Sequence, residues 1–213
     1  MGLDGILGRL QTEGVLSLYH DYRSGSMADW SGQGNPGVGT DVYYTKNGVC
    51  FYTTSSRINV TSSAELQALN YTVLEGLTYY PNPITPRRTF FGKRDAGSNQ
   101  MEMYISSLTA ITVRSEGVTH AIINQFEPPS VLTIGMSLAN GGQPNYYRNG
   151  NFIGTLTLNS NIVPNVGNLV IGNASPVSGN TPVYGVVHYF VYVSRVLSAA
   201  EHQELYQQLQ RLS

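Results

Sequence analysis

The chain has 213 residues, 41% of them hydrophobic, enough to bury one substantial core. Only 12% are charged and the formal net charge is −1, which excludes a nucleic-acid binder of the basic type, whose grip rests on neutralising phosphates. No run of eighteen apolar residues occurs, so no membrane-spanning helix is expected, and with Cys50 alone no intrachain disulfide framework can form.

In chain order, Leu3, Ile6, Leu7 and Leu10 form a stripe at helical spacing and predict a helical arm over residues 1–13. Glycines at 2, 5 and 8 each cost about 1 kcal/mol against alanine in a helix, so the arm needs a surface to pack on. Residues 14–213 read as a single domain. Short runs with period-two alternation follow, as in Met101, Met103 and Ile105 against Gln100, Glu102 and Tyr104. Leu132, Ile134, Met136 and Leu138 alternate with Val131, Thr133, Gly135 and Ser137, and Phe152, Leu156 and Leu158 repeat the pattern. Asn149-Gly150 between two such runs is a hairpin signal, because a type I′ turn needs positive φ at both central residues.

Val186 to Val193 is apolar apart from His188. Val187, Tyr189, Val191 and Val193 are expected on one face and Val186, Phe190 and Tyr192 on the other, in a central strand covered on both sides. Ser198-Ala199-Ala200-Glu201 is a capping box that starts a helix carrying Leu205, Leu209 and Leu212. Many short strands separated by turns predict an all-β, two-sheet antiparallel sandwich with a short helix at each end.

Several motifs occur in a fixed order. Asp29-Trp30-Ser31-Gly32-Gln33-Gly34-Asn35-Pro36-Gly37 follows the apolar run Val15 to Tyr19, and Gly48-Val49-Cys50-Phe51 and Ser56-Arg57-Ile58-Asn59-Val60 come next. Tyr146 to Gly154 contains the Asn-Gly hairpin, Asn168-Leu169-Val170-Ile171-Gly172 is a short strand, and Val191 to Glu201 with Leu205-Tyr206 closes the series. From about residue 14 to 210 this succession resembles the laminin-G-like, concanavalin A-like lectin/glucanase superfamily. The resemblance implies a jelly roll of two packed antiparallel sheets. It implies no one activity, because lectins, hydrolases and inert spacers share that fold.

No catalytic constellation is found. The hydrolytic branch of the superfamily carries Glu-x-Asp-x-x-Glu on one strand, which nothing here matches, and Glu102 has no acidic neighbour two residues on. His20, His120, His188 and His202 form no metal-ligand spacing. Cys50 beside Phe51 reads as a small buried hydrophobe. Relatives in the superfamily often bind calcium, for which Asp29, Asn35 and Asp41 offer two carboxylates, too few for six to eight oxygens; an Asx-turn at Asp29 is the expectation. No cofactor is expected, and no metal ligand is assigned.

The expected function is non-enzymatic. Low charge density, the N-terminal stripe and ten Arg against two Lys suit lasting protein contacts. Met1 to Gly5 opens no positive-then-apolar leader, so no signal peptide is expected. A sandwich of this type without an export signal points to a virion surface protein, a capsid decoration or tail-associated module of a phage, made in the cytoplasm. Leu3, Ile6, Leu7 and Leu10 are then the residues expected to dock on the partner assembly, with a homo-oligomer as a possible arrangement. The alternative is a carbohydrate-binding module, with Trp30, Tyr79, Tyr80, Tyr146, Tyr147 and Arg148 as candidate glycan contacts; a glycoside hydrolase is the second alternative, disfavoured by the missing carboxylate pair.

Overall fold

The computed structural model describes residues 3–79, 88–94, 100–107, 110–115, 118–123, 130–156, 166–173 and 182–212. The order begins with helix α1 (Gly5–Thr12) and strands β1 (Leu16–Asp21), β2 (Gly37–Thr40), β3 (Val42–Thr45), β4 (Gly48–Phe51) and β5 (Arg57–Val60). There follow β6 (Tyr71–Tyr79), β7 (Arg88–Arg94), β8 (Gln100–Ser107), β9 (Ala110–Ser115) and β10 (Val118–Ile123). The last group is β11 (Ser130–Leu138), β12 (Asn145–Arg148), β13 (Asn151–Thr155), β14 (Leu169–Ile171), β15 (Gly185–Val193) and α2 (Ala199–Arg211).

These strands make the two-sheet antiparallel sandwich that the alternation predicts. The first sheet runs β13-β12-β11-β6-β15-β4-β3, with β1 also paired to β15; the second runs β10-β9-β8-β7-β14-β5-β2. Between them Phe51, Ile58, Val73, Leu77, Phe90, Phe91, Met103, Ile134, Tyr146 and Phe190 form the main core. Asn149 (φ 49°) and Gly150 (φ 77°) both take the left-handed turn conformation that the β12–β13 hairpin requires.

β15 is the spine of the first sheet. One side of it pairs with β6 along its length; the other pairs with β4 through Gly185–Val187 and with β1 through Tyr189–Val193. The register with β6 shifts between Val187 and Tyr189. That extra residue, His188, corrects the strict alternation expected from the sequence: Val187 joins Phe190 and Tyr192 in the main core, while Tyr189, Val191 and Val193 face the other way.

The outward side of the first sheet carries a second core, because both helices lie on it. Ile6, Leu7 and Leu10 of α1 pack with Leu205 and Leu209 of α2 against Tyr19, Leu74, Tyr189, Val191 and Val193, and Leu3 sits partly buried at the margin. The stripe expected to dock on a partner is therefore internal: Ile6, Leu7 and Leu10 are fully buried within their own chain. The surface that the weak helix needs is its own sheet. Gln208 of α2 clasps α1, its Oε1 accepting from the Leu7 amide at 3.2 Å and its Nε2 donating to the Asp4 carbonyl at 2.8 Å. One orphan amide of the first turn of α1 is thereby satisfied from the far end of the chain.

The capping box of α2 forms as read, with Ser198 accepting from the Glu201 amide and Glu201 accepting from the Ser198 amide. Leu212 departs from its stripe and is exposed, because the helix ends at Arg211. Phe152 departs too. It lies on edge strand β13 and is half exposed, whereas Leu156 is buried; Leu158 falls outside the described residues.

Candidate functional site

The helices cover only part of the first sheet's outward face. Beneath α2 lie Thr72, Leu74, Thr133, Gly135, Ser137 and Tyr147; beyond its C-terminal end neither helix covers the face among the described residues. Successive register partners place Val131, Thr78, Val186, Cys50 and Tyr43 in one row across this open half. Val131 is 69% exposed, and the rings of Tyr43 and Tyr52 are about half exposed and pair at 4.9 Å between centroids. Exposed tyrosine rings at the edge of a sheet are what a ligand with its own apolar face requires.

A cavity of about 250 Å³ opens at the boundary between the covered and open halves. Its base is the ring of Tyr189, beside Gly76 of β6. A Cβ at Gly76 would stand 2.3 Å from Tyr189 Cζ, so only a glycine lets the ring lie across this strand. The Tyr189 hydroxyl bonds with Thr133 Oγ1 and accepts from Gln210 Nε2 at 3.2 Å. Gly76→Ala is accordingly expected to displace the ring and destabilise the fold by about 1–3 kcal/mol, read from the urea midpoint. An unchanged midpoint would mean that the ring is not confined there.

The walls combine apolar surface with several polar side chains. Lys46 and Asn47 come from the tight turn between β3 and β4, Val131 and Leu132 from β11, and Gln210 from the last turn of α2. Arg23 enters beneath the helix end: its Nε and Nη2 donate to the two Asp21 oxygens at 2.7 and 2.9 Å, and its Nη1 donates to the Leu209 carbonyl at 2.8 Å. Burial opposes the Arg23 charge, but the Asp21 hydrogen bonds more than offset it, and the cation sits favourably at the negative end of the helix dipole, 5.1 Å from the Tyr189 ring centre.

His188 completes the wall. Its Nδ1 bonds the Asn47 carbonyl, which can only accept, so Nδ1 carries the proton and Nε2 accepts from Thr78 Oγ1 at 2.8 Å. Burial, helped by Arg23, holds the imidazole below its ordinary pKa, so it is neutral at pH 7. None of the described residues lining this cavity is a carboxylate. The arrangement can hold a polar, ring-sized ligand against Tyr189 and Val131; it offers no acid–base pair.

The residues nominated from the sequence lie elsewhere. Tyr146 is fully buried in the main core, and Tyr147 is buried on the opposite face, stacked on His202 at 3.5 Å. Neither is available to a glycan, because the strand they share is covered on both sides. Arg148 is half-buried opposite Ile134. Trp30 is 47% exposed, but its turn is tied to α1 through Gln11 Nε2 donating to the Ser31 carbonyl, and it does not line the cavity. Tyr80 and the side chain of Tyr79 lie outside the described residues.

The Asx-turn at Asp29 forms: Oδ1 accepts from the Tyr19 and Ser31 amides, and Oδ2 accepts from Ser31 Oγ and the Asn35 amide. Asp41 is occupied separately with Ser55 and Ser56, so Asp29 and Asp41 do not share a site. A buried Ser137–His202 hydrogen bond of 2.7 Å also occurs, but Ser137 continues to Thr72, and Thr72 Oγ1 donates to the Arg195 carbonyl. This chain of donors ends on backbone and ties α2 to the sheet. The sequence did carry one overlooked signal for the cavity, the Asn47-Gly48 pair after Tyr43-Tyr44, which marks a tight turn flanked by aromatic residues.

No known family's sequence profile matches this chain, and no curated protein resembles it in sequence. Its fold, however, is similar to several solved structures. Trypanosoma rangeli sialidase superposes with a TM-score of 0.76 at 12% identity, over 94% of this chain and 33% of that one. The botulinum neurotoxin type G receptor binding domain gives 0.68 at 18% identity, over 91% of this chain and 51% of that one. The botulinum neurotoxin serotype D binding domain gives 0.73 at 13% identity, over 91% and 52%. This chain thus spans a third to a half of each of these neighbours, and what they share with it is the sandwich fold.

Proposed function

We propose that the chain is a non-catalytic carbohydrate-recognition module of the laminin-G-like, concanavalin A-like type, with its ligand on the open half of the first sheet. The observation that carries this reading is that the helix layer stops short. It leaves exposed the Tyr43–Tyr52 pair, carried by the same hairpin whose Lys46-Asn47 turn walls a cavity lined also by Gln210, a neutral histidine and Arg23. Apolar rings next to hydrogen-bonding amides suit the two-sided character of a sugar. Among the described residues the cavity is lined by amides, cations and apolar side chains and by no carboxylate, which supports a binding rather than a hydrolytic role. The resemblance in fold to a toxin's receptor binding domain and to a sialidase fits the same reading.

A glycan array run with and without calcium tests it. Binding that falls in a Tyr43→Ala/Tyr52→Ala double variant is the expected result, and a silent array in both conditions would end the proposal. We place the module on a phage particle, as a capsid decoration or tail-associated protein; the low charge density and the arginine excess support that placement. Its attachment must use a surface other than the internal N-terminal stripe. Co-purification with particles, detected by mass spectrometry, is the check. A chain that never accompanies particles and stays monomeric with every candidate partner would remove the placement.

A further inference from the structure

We propose that the cavity takes one terminal sugar residue bearing an anionic group, carboxylate or sulfate, with that group on Lys46. The inference rests on the carbohydrate-recognition reading above and narrows it in size and in charge. The volume of about 250 Å³ lies below the roughly 300–1,000 Å³ typical of sites for drug-sized ligands, which suits one ring better than a chain of them. The β3–β4 turn, β11 and the end of α2 wall the space. A terminal residue enters such a site end-on, whereas an internal residue of a polysaccharide needs a groove running past it.

The charge follows from what each cation already does. Arg23 is committed to Asp21 and to the Leu209 carbonyl, so its charge is largely balanced inside the protein. His188 has both nitrogens occupied by protein partners and is neutral. Lys46 stands exposed at the tip of the turn; among the described residues it has no ion-pair partner, and none that lines the cavity is a carboxylate that would oppose an incoming anion. A ligand's acid therefore meets net positive potential at one place. Its apolar ring face meets Val131 and the Tyr189 ring on the opposite side, where a neutral sugar would be held equally well.

The test is an NMR titration of the full chain with methyl glycosides of uronic acids and of sulfated hexoses, against the methyl-esterified or unsulfated counterparts. The expected result is shifts at the Lys46, Asn47 and Gln210 amides, with binding of the acidic set about fourfold tighter, the size of one exposed ion pair. Lys46→Glu should erase that preference, and Val131→Phe should block both sets. Both positions are exposed, so circular dichroism of the variants should match that of the parent. Equal binding of acidic and neutral sets, or a preference that survives Lys46→Glu, overturns the acidic ligand while leaving a sugar-binding module. Binding of oligosaccharides only, without single residues, overturns the end-on geometry. Failure of every sugar here and on the array removes the underlying reading as well.

Discussion

Replacing Glu75 by glutamine is expected to stabilise the folded chain at neutral pH, and by more as the pH rises. Glu75 sits on β6 between Leu74 of the helix-side core and Gly76 of the cavity, yet its own side chain points into the main core. It is fully buried there, and neither carboxyl oxygen has a hydrogen-bond partner among the described residues. Burial therefore raises its pKa well above the usual carboxylate value, and the folded chain holds a proton that the unfolded chain releases near pH 4.5. Above that pH the native state binds more protons than the unfolded state, so stability falls with rising pH. Holding this proton above pH 4.5 therefore costs stability, and Glu75→Gln removes that cost. Urea midpoints of parent and variant should nearly coincide at pH 4.5 and separate as the pH rises towards neutrality. A gap that stays constant over that range would show that Glu75 is ionised or partnered in the core. Glu75→Leu, which also removes the two unpartnered oxygens, should gain more.

His202 is expected to pull in the opposite direction. Its Nε2–H donates to Ser137, whose own hydroxyl proton goes on to Thr72, while Nδ1 is buried with no partner among the described residues. Protonating Nδ1 would place a charge between α2 and the sheet, against the Tyr147 ring. Burial accordingly lowers the pKa from 6.5 to about 3. Below pH 6.5 the unfolded chain takes up a proton that the native chain refuses, so stability is lost as pH falls from 6.5 towards 3. The loss amounts to about 5 kcal/mol at the bottom of that window. His202→Gln keeps an amide donor for Ser137 and cannot be charged, so its stability should stay flatter between pH 6.5 and 4. An equally steep fall in the variant would assign the acid sensitivity to other groups. The two slopes oppose each other between about pH 4.5 and 6.5, and that is the window the pair favours.

The sandwich was legible because its strands alternate strictly enough to be seen one at a time. Leu132, Ile134, Met136 and Leu138 do face the main core, and Ser198 with Glu201 does start α2. Two things were hidden. The first is the bulge at His188, since apolar residues on either side of it can be buried on both faces, and the pattern then does not show where one extra residue is inserted. The second is the helix layer, which turned the nominated Leu3, Ile6, Leu7 and Leu10 inward and covered Tyr147. A stripe of leucines states that something apolar must cover it, but not whether that is a partner or the chain's own sheet. The cavity was least visible of all. Lys46, Val131, His188 and Gln210 are separated by up to 164 positions and are brought together only by strand register and the end of α2. No local motif can announce such a set.

The position of β15 as the spine also fixes the order in which the molecule can be completed during synthesis. β1, β4 and β6 all take their places in the first sheet from a strand made more than a hundred residues after them. α1 then waits longer still, for Leu205, Gln208 and Leu209 of α2. Until the ribosome has released those last segments, the earliest strands have open edges and the leucines of α1 have no cover. A nascent chain of this design is exposed to aggregation for most of its translation, and it closes in one late step.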